Sequence, residues 1–206
     1  MSTNLLGRKP AREAPGLTLH PQITLQLGRV HEACGPARRS FAMWLAGQAQ
    51  GPVLWISPAW EPGQLNPDGM MPFADPARFI FVRPTRAEDL LWCMEEALRS
   101  GAIPLIIGDL PGAPGLTPVR RMHLAAEQGG AMGRAPLGLL LTPGDGGAQG
   151  VETRWHMAAN HQGEARRWAV TRRRARALPP VSWQATQTKP RAGLNLTRIE
   201  TQDVLV

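Results

Sequence analysis

A chain of 206 residues with 43% apolar content has the size of one globular domain and enough apolar side chains for its own core, which excludes a disordered or fibrous polymer. Its two cysteines, Cys34 and Cys93, stand far apart with no C-x-x-C pair, which argues against a disulfide scaffold or a zinc site and fits a reducing compartment. Charge is uneven: residues 1–150 carry 13 basic and 12 acidic side chains, whereas residues 151–206 carry 10 and 4, so nearly all of the net +7 lies in the last quarter.

Residues 1–26 open with a polar stretch containing Pro10, Pro15 and Gly16 and read as a flexible N-terminal arm. The first sixteen residues hold no apolar signal-like core, and no apolar run approaches the ~18 residues a membrane span needs, so a cytoplasmic protein without a membrane partner is expected. Arg29 to Cys34 predicts a short strand, and Ser40 to Gln50 a helix with Phe41, Trp44 and Leu45 on one face. Val53–Ile56 is a four-residue apolar run expected as a buried strand. Ser57 to Pro72 is rich in Pro, Gly, Asn and Asp and reads as a long surface loop.

Arg78 to Val82 predicts a third strand. Arg86 to Ser100 predicts a helix, with Leu90, Leu91, Met94, Ala97 and Leu98 on one stripe and Gly101 as its stop. Ala102 to Asp109 predicts a fourth strand ending in a carboxylate, with Pro104 expected at its first residue. Pro118 to Gly129 reads as a helix carrying Arg120 and Arg121, Pro136 to Thr142 as a fifth buried strand, and Pro143 to Gly150 as a flexible loop. Then the pattern changes: Glu152 to Ala158, Arg166 to Arg176 and Val181 to Thr186 alternate as antiparallel strands. The expected fold class is α/β, a mostly parallel sheet flanked by helices with a C-terminal antiparallel ribbon, spanning 27–186; residues 187–206 are expected as a loosely ordered tail.

The chemistry concentrates where a strand meets Gly35-Pro36. Strand, glycine turn and helix is how a phosphate loop is built, with backbone N–H groups cradling the phosphates and a lysine reaching the outer two. Here no second glycine and no lysine follow Gly35. Arg39 and Ser40 stand near the place of the lysine and hydroxyl, and Asp109 ends a strand either as a turn cap or as a carboxylate of catalytic type. Weak anion binding at the helix N-terminus stays open. Alternation along the late strands places Arg172, Arg174 and Arg176 on one face, either as a phosphate-binding stripe or as charge protecting an edge. Trp44, Trp55 and Trp92 sit in apolar runs and are expected in the core, whereas Trp60 stands in a polar loop and is the candidate contact residue. The histidines show no ligand spacing, so no metal is expected.

Residues 27–36, Glu88 to Ala102, Pro104 to Asp109 with Leu116-Thr-Pro118, and Arg166 to Pro180 resemble, in order, segments of RecA-type recombinases. Cys34 to Ser40, Leu65 to Met70 and Gly150 to Trp155 are similar to the ImuA group, RecA-like accessory proteins of SOS-induced, DNA-damage mutagenesis and translesion synthesis. The resemblance implies a RecA-like fold of the P-loop NTPase type. It also implies partnership with an ImuB-like Y-family polymerase homologue, an error-prone C-family polymerase and RecA, and a place at the nucleoid. It puts Arg120 and Arg121 near DNA-contacting loops. With the phosphate loop degenerate at Gly35, Pro36, Arg39, Ser40 and Asp109, no catalytic residue and no cofactor are expected. The alternatives are a weak DNA-stimulated ATPase, using ATP and magnesium there, and a basic single-stranded-DNA-binding module.

Overall fold

The structure, a computed structural model, describes residues 15–162, 166–176 and 178–199. A hairpin of β1 (Gly16–His20) and β2 (Ile23–Gln26) precedes β3 (Val30–Cys34), α1 (Arg38–Gln48), β4 (Val53–Ile56), the single turn α2 (Pro67–Met70), β5 (Phe79–Val82), α3 (Ala87–Ser100), β6 (Leu105–Asp109), α4 (Leu116–Met132) and β7 (Leu137–Thr142). Four strands then follow without helices: β8 (Thr153–Ala159), β9 (Arg166–Ala175), β10 (Val181–Gln187) and β11 (Asn195–Ile199). All but β1 and β2 join one sheet in the order β11-β10-β9-β8-β3-β7-β6-β4-β5. The block β8-β3-β7-β6-β4-β5 is parallel, and β8 to β11 pair antiparallel.

The parallel strands are buried on both faces, which is why they read as unbroken apolar runs such as Val53–Ile56. Alternation divides them between two layers. Val53 and Trp55 point into the layer under α1, whereas Leu54 and Ile56 point under α3 and α4. Helix α3 carries Glu88 and Asp89 in its first turn and Arg99 in its last, matching the helix dipole at both ends. At the end of α1, Arg78 donates to the carbonyls of Ala46 (2.9 Å), Ala49 and Gly51 (2.8 Å), satisfying acceptors that the helix leaves open.

The expected arm 1–26 is corrected for residues 16–26, which form the hairpin; Leu19, Ile23 and Leu25 on its inner side join the core under α1. Residues 1–14 lie outside the described part. In the expected tail, β11 pairs with β10, satisfying the backbone donors and acceptors of that strand's outer edge, and Leu194 extends the core; residues 200–206 lie outside the described part. Pro104 stands just before β6, where its missing N–H breaks no ladder bond and its carbonyl accepts from the Leu137 amide at 2.9 Å. Trp92 is 57% exposed and not core: Leu90, Met94 and Leu98 form the inward stripe of α3, and two residues from each of the first two places Trp92 on the opposite side. Cys34 is buried and Cys93 half-buried. No helix among the described residues is long and apolar enough to cross a membrane.

Candidate functional site

Strand β3 lies inside the sheet between β7 and β8, so the turn that follows it opens at the carboxyl ends of the parallel strands. Crevices at such ends are where open α/β sheets hold ligands. Gly35 begins the turn with φ at 89°, a left-handed conformation, and a Cβ there would stand 2.5 Å from the Met157 carbonyl oxygen and 2.8 Å from His156 Nε2. Only glycine fits both constraints.

Most amides of this turn are spent within the protein. Gly35 donates to the Gly144 carbonyl at 2.9 Å and Ala37 to the Met157 carbonyl at 3.0 Å. Arg38 donates to the Gly35 carbonyl at 3.2 Å, and Ser40 and Phe41 donate to Ala37 at 3.0 and 3.4 Å. Pro36 has no N–H to offer. A phosphate cradle works by leaving such donors aimed at the anion. Here the β7–β8 connection and β8 accept from Gly35 and Ala37, and the turn's own carbonyls accept from Arg38, Ser40 and Phe41.

Asp109 ends β6, two strands from β3 and 2% exposed. Arg39 Nε donates to its Oδ2 at 2.6 Å, and Arg38 Nε stands 3.6 Å from Oδ1. The sequence-predicted residues Gly35, Pro36, Arg39, Ser40 and Asp109 are thus gathered at one sheet end, but Arg39 and Asp109 face each other as an ion pair. Arg39 also runs beside the loop after β4: a Cβ on Gly63 would lie 3.4 Å from its Nη1. The guanidinium therefore occupies the space between the turn and the strand-end carboxylate. Glu61, in the same loop, offers its carbonyl to Arg83 at 2.7 Å, so its backbone is held by a structural bond.

Behind the turn sits a second carboxylate that pattern reading missed. Glu32, fully buried in β3, accepts from the Thr142 hydroxyl at 2.6 Å and from the amides of Gly147 and Ala148 at 2.8 and 3.0 Å, all on Oε1. Its Oε2 accepts from Arg154 Nε, and Arg154 Nη2 donates to the Ala148 carbonyl at 2.8 Å. This clasp ties β3, the β7–β8 connection and β8 together, and thereby holds Gly144 over the Gly35 amide. The signal was a carboxylate inside a strand fully buried within the sheet, since a buried carboxylate must find partners; the partners lie more than 100 residues away and left no local mark.

The remaining candidates are dispersed. Arg121 pairs with Glu95 of α3 at 2.9 Å, and Arg120 is exposed on α4. Arg172 does not share a face with Arg174: it is only 8% exposed, its guanidinium lies 5.4 Å from the Trp183 ring centre and 6.0 Å from that of Trp155, and it donates to the Pro179 carbonyl. A β-bulge is the reason. Trp155 pairs with Arg172 while the preceding Arg154 pairs with Arg174, so Arg173 is the extra residue and the alternation is broken there. Arg176 is exposed beyond the end of β9. Trp60 is 49% exposed, and Trp55, Leu65, Pro67 and Phe81 line a mostly apolar cavity of about 290 Å³. No cluster of three or more potential metal ligands occurs among the described residues.

No protein-family model matches the chain, and a search of curated proteins finds no match.

Proposed function

We infer that the chain is a non-catalytic RecA-like accessory protein of the ImuA type, which assembles or regulates an error-prone polymerase complex in DNA-damage-induced translesion synthesis. The arrangement supports the RecA-like part of this reading. A glycine turn leads from a central parallel strand into a helix, and a second parallel strand, separated from the first by one other, delivers an aspartate to the same sheet end. That is the placement a nucleotide site needs to hold phosphates and a magnesium ion together. The observation that carries the non-catalytic part is the Arg39–Asp109 pair, together with the Gly35, Ala37 and Arg38 amides, which are already bonded within the protein.

The resemblance names the partners: an ImuB-like polymerase homologue, a C-family polymerase and RecA. Exposed apolar side chains at Trp60, Ile80 and Phe81 on and beside the edge strand β5 are in keeping with a protein that works through contacts. The deciding experiment is co-purification with an ImuB-like protein, with and without ATP and magnesium. Nucleotide-independent capture is expected. ATP turnover in the presence of DNA, abolished by Asp109→Asn, would establish the ATPase alternative in its place.

A further inference from the structure

The ribbon β8–β11 has two unlike faces. One carries Trp155, Trp168 and Trp183 into the core under α1. The other is uncovered among the described residues, because α3 and α4 pack over β3, β4, β6 and β7. Cross-strand pairing shows what this open face presents. One row runs His156, Thr171, Ser182; the next runs Ala158, Ala169, Gln184. These side chains are short, polar or small, and half-exposed. Arg167 belongs to the same face by alternation with Ala169 and Thr171, and Arg174 by its pairing with Arg154. The bulge adds Arg173, whose Nη1 reaches the Asp145 carboxylate at 2.9 Å and the Asp145 carbonyl at 3.1 Å.

We propose that this open face of the ribbon binds the sugar-phosphate backbone of DNA through Arg167, Arg173 and Arg174, and that Asp145 competes with phosphate for Arg173. The inference deepens the DNA-damage reading above and rests on it for its biological setting. Three facts point to a phosphate polymer. The described part of the ribbon's face carries no carboxylate; the neighbouring Glu32 of β3 is buried and bonded to Arg154, and the exposed carboxylate beside the face is that of the loop residue Asp145. Guanidinium groups fork onto phosphate oxygens, and hydroxyl and amide side chains between them add neutral donors. No Trp or Phe lies on the described part of this face, so base stacking contributes nothing and sequence is not read.

Asp145 is 81% exposed at the tip of a glycine-rich loop, between Arg173 and His156 Nε2, which stands 3.9 Å away. Its carboxylate holds the position that a phosphate would take on Arg173. An exposed pair of this kind is weak, so a polyanion displaces it readily. Three phosphate contacts correspond to a slope of roughly −2 for single strands and −3 for duplex in log K against log salt.

The test is fluorescence anisotropy of a labelled 30-nucleotide strand and of a 30-base-pair duplex, titrated with the full chain between 50 and 300 mM KCl. Salt-dependent binding without sequence preference is expected for both. Arg167→Ala with Arg174→Ala should weaken it at least tenfold, whereas Asp145→Ala should tighten it by roughly five- to tenfold and cannot do so by misfolding. No binding at 50 mM KCl, poly-glutamate binding as tight as DNA, or affinity unmoved by both sets of variants overturns the proposal. DNA binding without capture of an ImuB-like protein leaves this inference standing and sinks the accessory role; capture without DNA binding does the reverse.

Discussion

His31 shows how one buried side chain turns pH into stability. Its Nε2 stands 2.9 Å from the Gln26 carbonyl, which can only accept, so this nitrogen carries the proton. Nδ1 then accepts from the Thr153 hydroxyl at 2.8 Å, and that hydroxyl accepts from the Trp155 indole at 2.8 Å. Burial pushes the imidazole down to about 4, helped by the positive neighbour Arg29. A depressed histidine means that the unfolded chain binds more protons than the folded one between about 4 and 6.5. Stability from this site is therefore complete above 6.5 and is lost as pH falls toward 4, by about 3 kcal/mol in all. Urea melts from pH 7 to 4 should show that loss, and His31→Gln, which stays neutral, should flatten it. An equally steep fall in His31→Gln would assign the effect elsewhere. Glu32 makes the opposite demand, since it is the acceptor for four groups. Glu32→Ala should cost about 3–5 kcal/mol in denaturant unfolding, because it leaves Arg154, the buried Thr142 hydroxyl and Ala148 amide, and the Gly147 amide without their acceptor.

Among the elements, the bulge in β9 has the widest consequences. Without it Arg172, Arg173 and Arg174 would alternate, and Arg172 would lie with Arg174. With it, Arg172 turns inward against two indoles while Arg173 and Arg174 serve the open face. The substitution Arg172→Ala should therefore act on folding, lowering stability by about 1–2 kcal/mol through the lost cation–π contacts, and leave DNA affinity nearly unchanged. A variant as stable as the parent that fails to bind DNA would reverse that assignment. Helix α3 sits close on β6 for a similar local reason. Gly108 has Met94 where a Cβ would stand, so Gly108→Ala forces the helix or the methionine aside and should cost about 1–3 kcal/mol in thermal or urea unfolding.

On the scale of the molecule, the ribbon is an extension of the sheet. β8 is hydrogen-bonded to β3, and the core under α1 runs from Trp55 in the parallel block through Trp44 to Trp155, Trp168 and Trp183. Trp44 and Trp168 meet edge to face at 4.9 Å between ring centres, joining helix and ribbon. A chain built this way should unfold in one transition, with tryptophan fluorescence and far-ultraviolet circular dichroism superimposing. Separate midpoints for the two probes would mean that the ribbon folds as a domain of its own.

Much was legible in the sequence where the cause was local. Apolar runs, helical stripes and Gly-Pro breaks marked β3 to β7, α1, α3 and α4, because burial on two faces or one stripe stamps a period on the chain. The hairpin at residues 16–26 carried its own alternation, yet its polar turn and the proline-containing stretch before it masked that signal. The composition of the Gly35 turn, lacking a lysine and a second glycine, was also local, and it determined that an ordinary phosphate loop is absent. What only the tertiary structure decided is where the charges went. Arg39 against Asp109, Glu32 against Arg154 and Arg172 against Trp183 are each set by strand order and register between segments far apart in the chain, and one inserted residue in a ladder is enough to send an arginine from the surface into the core.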